Sequence, residues 1–208
     1  MKMTSNMIIT IARQYGSGGQ EIGAKLAHLL GIEYYDKDLI TLSAQKCGLS
    51  ADAVGHIDEK ASNSLLYTLA MGSSVFHNSI VGYDIPINDK LFIAQSDVIR
   101  ELADESPCII VGRCADYVLR DYPNCMKVFI YADEAWKIDH ICSQSGVSAN
   151  EARDIIIKTD KRRTSYYNYY TGQKWGKIDN YDLAVNTSKL DVDHAAELIQ
   201  SYAKIRME

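Results

Sequence analysis

Gly16-Ser17-Gly18-Gly19 stands between an apolar run, Met7 to Ala12, and an amphipathic stretch, Glu21 to Leu30. Strand, glycine-rich turn and helix in that order make a site where backbone amides bind phosphate. Residues without a Cβ let the chain curl so that successive N–H groups turn inward, and the following helix points its positive end at the anion. In the standard pattern, G-x-x-x-x-G-K-[ST], a lysine neutralises the outer phosphates and a hydroxyl holds magnesium. With Gly18 as the second glycine, Arg13 occupies the first glycine position, Gly19 the lysine position and Gln20 the hydroxyl position. The segment departs from the pattern at all three, so a tight turn without a ligand is the competing reading.

Other runs carry complementary chemistry. The apolar run Cys108 to Val111 leads directly into Gly112-Arg113, which puts a guanidinium where it could grip a phosphate through two parallel hydrogen bonds, or pair with Asp116 or Asp121. Tyr34-Tyr35-Asp36 offers an aromatic face and a carboxylate to a nucleoside, or a packed ring and a solvated acid. In Lys158 to Tyr167, Asp160 and Arg163 fall on one helical face, with Lys161 and Arg162 beside them. Phosphoryl transfer asks a protein mainly to align oxygens and stabilise spread negative charge, which a basic segment closing over the site would do. A solvated basic helix face is the alternative.

The elements that must position these residues follow from periodicity. Strand-like runs recur at Glu33 to Tyr35, Cys108 to Val111, Met126 to Ala132 and Leu183 to Val185. Between them, Ile22, Leu26, Leu29 and Leu30 share a helical face, as do Leu91, Gln95, Val98 and Leu102, and Ala195, Leu198, Ile199 and Tyr202. Ser148-x-x-Glu151 has the form of a capping box and predicts a helix running towards Arg163. Short apolar strands alternating with helices predict an α/β fold with a parallel sheet covered on both faces, in which a ligand lies beyond the carboxyl ends of the strands. The stretch 36–105 reads as a helical substrate-binding insert and 158–180, rich in Lys, Arg and Tyr, as a mobile lid, on a single domain spanning 1–208.

The 208 residues suffice for one domain with a substantial core. A formal charge of -5 argues against nucleic acid as a partner. The five cysteines contain no C-x-x-C pair, which suggests neither a disulfide framework nor a zinc site. With no apolar segment of signal-peptide or membrane-span length, a cytoplasmic protein without membrane association is expected; a homo-oligomer is left open.

Taken together, Ile11 to Gly23, Tyr35-Asp36-Lys37-Asp38-Leu39-Ile40, Gly112-Arg113-Cys114-Ala115-Asp116, Asp160-x-x-Arg163-x-x-Tyr166-Tyr167 and Tyr181-Asp182-Leu183-x-x-Asn186-Thr187-Ser188 resemble the cytidylate kinase-like proteins of the P-loop kinase superfamily. The resemblance implies a three-layer P-loop kinase-like fold with insert and lid, and ATP- and magnesium-dependent phosphorylation of CMP or dCMP. It implies that Gly16, Ser17, Gly18, Gly19, Gln20 and Glu21 bind ATP, and that Arg113, with Tyr35, Asp36, Asp116 and Arg162, binds the acceptor. Asp160 and Arg163 match its lid element, Arg163 acting on the transferring phosphoryl group. Arg13 is the candidate replacement for the absent lysine. The family's aspartate after the arginine is Cys114 here, and the magnesium ligands are not identified. Two further readings remain: a kinase for another small phosphorylated acceptor, and a non-catalytic nucleotide-binding regulator that lost its chemistry with the lysine.

Overall fold

The computed structural model describes residues 7–36 and 87–206. Five strands, β1 (Ile8–Arg13), β2 (Glu33–Tyr35), β3 (Cys108–Val111), β4 (Cys125–Tyr131) and β5 (Leu183–Asn186), form one sheet in the order β2-β3-β1-β4-β5. Every pairing is parallel. Ile8 lies opposite both Cys108 and Cys125, so β1, β3 and β4 start level; β3 ends opposite Ile11 while β1 and β4 pair on to Arg13 and Ile130, which leaves Gly112 and Arg113 beside the end of β1 at the carboxyl edge.

The helices are α1 (Gly19–Leu30), α2 (Ile87–Glu105), the short α3 (Ala115–Val118), α4 (Glu134–Ser145), α5 (Ala149–Thr171) and α6 (Val192–Arg206). Alternation along β1 sends Ile9 and Ile11 to one face and Ile8 to the other. On the first face they meet Ile22 and Leu26 of α1 and Ala195 and Ile199 of α6. On the second, Ile8, Cys108 and Ile110 meet Val98 and Ile99 of α2 and Val118 of α3. A sheet covered in this way needs strands apolar on both faces, and β3 is buried at every residue. This is the α/β architecture read from the periodicity.

The expected capping box is present: the Ser148 hydroxyl accepts from the Glu151 amide and the Glu151 carboxylate from the Ser148 amide. The helix it starts runs on past Arg163 to Thr171, so residues 158–171 of the stretch read as a lid are the second half of α5, continuous with a first half anchored on α4 through Ile138, Ile141, Ala152 and Ile156. Of the stretch read as an insert, residues 87–105 form α2, whose Val98, Ile99 and Ala103 belong to the core. Residues 37–86, including the Lys37 to Ile40 part of the motif, lie outside the described residues. No helix among the described residues is long and apolar enough to cross a membrane.

Candidate active site

The turn after β1 bends through left-handed residues Gly16 (φ 77°) and Gly18 (φ 75°), and Gly18 is the N-cap of α1. No side chain caps that helix start, so its first-turn amides are open to an anion in the cleft they border. Gly16, Gly18, Gly19, Gln20 and Glu21 line this loop cleft with Arg13, Arg163, and His140 and Gln144 of α4. Ser17 differs from its neighbours. Fully buried, its hydroxyl donates to the Gln14 carbonyl at 2.8 Å while its own carbonyl accepts from the Thr187 hydroxyl at 2.9 Å, which moors the loop to the sheet end. It is not part of the cleft wall.

Arg13 crosses the carboxyl edge of the sheet. A Cβ placed on Gly19 would lie 2.6 Å from Arg13 Cβ and 2.8 Å from Arg13 Cγ, so the stem of Arg13 fills the space that any side chain at the usual lysine position would start from. Its guanidinium continues over Gly112, where a Cβ would overlap Nη1, and its Nη2 stands 3.6 Å from Asp36 Oδ1. The Gln20 amide donates to the other oxygen of Asp36. Asp36, expected to touch the acceptor, is thus a buried anion that orients Arg13 and Gln20.

A second cleft opens where β3 ends, lined by Arg13, Arg113, Cys114, Asp116, Arg162, Arg163, Tyr166, Tyr167 and Trp175 among others. Gly112, Arg113 and Cys114 are consecutive left-handed residues, at φ 79°, 57° and 56°. For the two residues that carry a Cβ, this conformation costs about 1–2 kcal/mol each, and such strain persists where surrounding structure holds it at a working site. Asp116 follows in α3 and is buried. Burial pushes its carboxyl up to about 6 against the pull of the Tyr167 hydroxyl, which donates to it at 2.7 Å. Tyr35 lines neither cleft: its ring packs against the cluster beneath β3.

Helix α5 is seated along this site. Asp160 Oδ1 accepts the Tyr15 amide at 2.7 Å, and Arg163 Nη1 donates to the Arg13 carbonyl at 2.9 Å, so the i, i+3 pair straddles the entrance to the glycine turn. Burial raises the Asp160 carboxyl above its ordinary range, opposed by the Tyr15 amide and then by Arg163, Lys137 and Arg13. Further along, Tyr166 donates to Gln95 at 2.9 Å and Tyr170 to Asp89 at 3.0 Å, both on α2, and the Tyr170 ring stacks on Phe92 at 4.1 Å. The tyrosine run is therefore largely helix packing. Of the expected site residues, Arg13 and Arg163 alone line both clefts; Arg113, Asp116 and Arg162 line the second, and Asp160 stands behind the loop.

Helix α4, which carries Lys137, His140 and Gln144, shows no apolar stripe in the sequence. His140 Nε2 lies 3.6 Å from Glu21 Oε1, to which the Gln144 amide also donates, and the His140 ring stacks on Trp136 at 4.8 Å. The available signal was punctuation: Asp133 before the helix and Gly146, left-handed, after it. For magnesium, no group of three His, Cys, Asp or Glu side chains suited to a metal exists among the described residues. Glu21 is a carboxylate on the wall of the loop cleft.

The model of the cytidylate kinase-like family matches residues 8–189. A cytidylate kinase of Saccharolobus islandicus (strain Y.G.57.14 / Yellowstone #1) is 24% identical over 200 residues, covering 96% of this chain and 92% of that protein. Among solved structures, an uncharacterized protein from Eubacterium ventriosum ATCC 27560 superposes with a TM-score of 0.70 at 30% identity, over 95% of this chain and 98% of its own. A shikimate kinase from Bacteroides thetaiotaomicron shares the fold, with a TM-score of 0.52 at 13% identity over 95% and 98%. The chain belongs to the cytidylate kinase-like family of phosphotransferases.

Proposed function

We propose that this protein transfers the γ-phosphoryl group of magnesium-bound ATP to a nucleoside monophosphate, with CMP or dCMP as the acceptor. The observation that carries the reading is that Arg13 and Arg163 line both the loop cleft and the sheet-edge cleft. A phosphoryl group passing between a donor in one and an acceptor in the other would meet two cations at the boundary. An acceptor phosphate oxygen attacks the γ-phosphorus as the bond to the β,γ-bridging oxygen breaks, and the departing electron pair stays on ADP. Charge spreads over the three equatorial oxygens during that exchange, and fixed cations are the protein's chief contribution.

In this reading the uncapped amides of α1 and the glycine turn hold the ATP phosphates, and Arg13 supplies the charge that the usual lysine would bring. Arg113 and Arg162 hold the acceptor phosphate through planar donor pairs. Trp175, Tyr166 and Tyr167 offer ring surface to a base in the same cleft. Asp116 takes the part of the aspartate that Cys114 replaces, since both line that cleft. Magnesium, when bound with ATP, would neutralise phosphate charge between the two nucleotides. The test is ADP release from ATP and magnesium with CMP, dCMP, UMP, AMP and GMP offered separately. Stimulation by CMP or dCMP supports the reading; turnover only with another phosphorylated acceptor moves the specificity, and ATP binding without turnover replaces it by the regulatory one.

A further inference from the structure

Lys137 is a buried lysine at the first turn of α4, 7% exposed, and it lines neither the loop cleft nor the sheet-edge cleft. A buried ammonium group is costly unless it is paired and hydrogen-bonded. Its Nζ donates to Gln14 Oε1 at 3.1 Å and lies 4.0 Å from Asp160 Oδ2. Both partners lead to the same three residues of backbone. Gln14 Oε1 also accepts the Ala132 amide at 3.4 Å, and the Gln14 amide donates to Ile130 at 2.9 Å. Asp160 accepts the Tyr15 amide, and one turn along α5 Arg163 donates to the Arg13 carbonyl. Arg13, Gln14 and Tyr15, which carry the chain from β1 into the glycine turn, are therefore each held by a side chain that reaches in from α4 or α5 or is itself held by one that does.

From this convergence we infer that Lys137 is a positioning residue, which fixes the entry to the phosphate-binding turn by joining Gln14 to Asp160 and so couples the α4–α5 pair to the seating of ATP. The inference rests on the proposed phosphoryl transfer for its catalytic meaning. In its structural content it stands apart from that reading. Asp160 must be correctly turned to accept the Tyr15 amide, a bond that strengthens when its carboxyl is ionised, and the cations that face it are Lys137 from α4, Arg163 from its own helix and Arg13 from β1. Lys137 differs from the two arginines in standing outside both clefts, so it acts on the loop rather than on a ligand. The standard loop carries a lysine that meets phosphate directly. Here a lysine from another helix holds the loop from behind, while Arg13 takes the front.

The test separates the two claims. Amide hydrogen exchange is measured residue by residue in the wild-type protein, Lys137→Met and Lys137→Arg, alongside ATP-dependent turnover. In Lys137→Met the Tyr15 amide should exchange at least roughly tenfold faster, with sheet amides such as Ile110 and Ile130 unchanged, and Lys137→Arg should restore most of the protection. KM for ATP should rise while kcat falls by up to about 100-fold, as expected for a misplaced site, and the acidic limb of the pH–rate profile should move to higher pH because Asp160 loses a neighbouring cation. In an Asp160→Asn background the Lys137→Met change should have little further effect on Tyr15. Unchanged Tyr15 exchange in Lys137→Met, or uniform loss of protection across the sheet in both Lys137 variants, would overturn the inference. A wild-type protein without turnover would remove the kinase reading while leaving the exchange result to decide the role of Lys137.

Discussion

Writing the standard lysine into this loop, as Gly19→Lys, should damage the protein rather than improve it. The new Cβ would sit 2.6 Å from Arg13 Cβ and 2.8 Å from its Cγ, about 1 Å inside ordinary van der Waals contact. Arg13 Cβ is fixed by the backbone of β1, which pairs with β4 up to Arg13 itself, so rotating a side chain does not relieve the overlap. Either the strand end or the start of α1 must shift. Overpacking of this size costs roughly 1–3 kcal/mol of stability, and a displacement near 1 Å at a phosphate-binding turn costs about 100-fold in turnover. Arg13→Gly removes the cation instead, and loss of one such group costs about 3–4 kcal/mol of transition-state stabilisation, or 100- to 1,000-fold in kcat. The double variant, Arg13→Gly with Gly19→Lys, restores the glycine and lysine positions of the standard pattern, leaving Gln20 at the hydroxyl position, and removes the overlap. Its kcat/KM for ATP should exceed that of Arg13→Gly by at least about tenfold, and its Tm should exceed that of Gly19→Lys, a coupling that independent sites do not show. The assay is acceptor-dependent ADP production with thermal unfolding of all four proteins. An active, stable Gly19→Lys single variant, or a double variant whose losses are the product of the singles, would refute the idea that positions 13 and 19 compete for one space.

Three further outcomes follow from the second cleft. Because the folded Asp116 holds its proton up to about pH 6 while an unfolded aspartate releases it near 3.8, wild-type stability should fall by about 3 kcal/mol as pH rises through that window; Asp116→Asn should lack this fall, and parallel denaturation curves for the two proteins between pH 4 and 7 would contradict it. Tyr167→Phe deletes the O–H that donates to Asp116 at 2.7 Å and should cost about 1–3 kcal/mol in denaturant unfolding, with KM for the acceptor rising more than KM for ATP. Arg113→Ala should raise the acceptor KM with ATP affinity little changed, which initial-rate kinetics with each substrate varied in turn would show.

Much of the scaffold was legible because burial imposes period. The apolar runs that become β1, β3 and β4 contain few polar residues to mislead, and the Ser148 and Glu151 pair marks its helix start by direct chemistry. Helix α4 was not legible: it buries only Lys137, Ile138 and Ile141, too few apolar positions for a stripe, and one of the three is a lysine. The same helix holds the residues behind and beside the phosphate-binding turn, so part of the site was hidden with it. The exchange between Arg13 and Gly19 shows a different limit. Sequence alone displayed a broken motif, whereas the distance between two side-chain positions six residues apart shows where the displaced volume went. Asp36 and Tyr35 illustrate a third, since a residue's type announces that it could meet a ligand but not which neighbours claim it first. Asp36 is taken by Arg13 and Gln20, and Tyr35 by the core.

The central claim is phosphoryl transfer across the boundary that Arg13 and Arg163 share. Its most direct measurement is incubation of the wild-type protein with γ-labelled ATP, magnesium and CMP or dCMP, followed by separation of the nucleotides. The label is expected in CDP or dCDP, formed in equal amount to ADP and sharply reduced in Arg13→Ala. Label that remains in ATP, or emerges only as inorganic phosphate whatever acceptor is present, would contradict it.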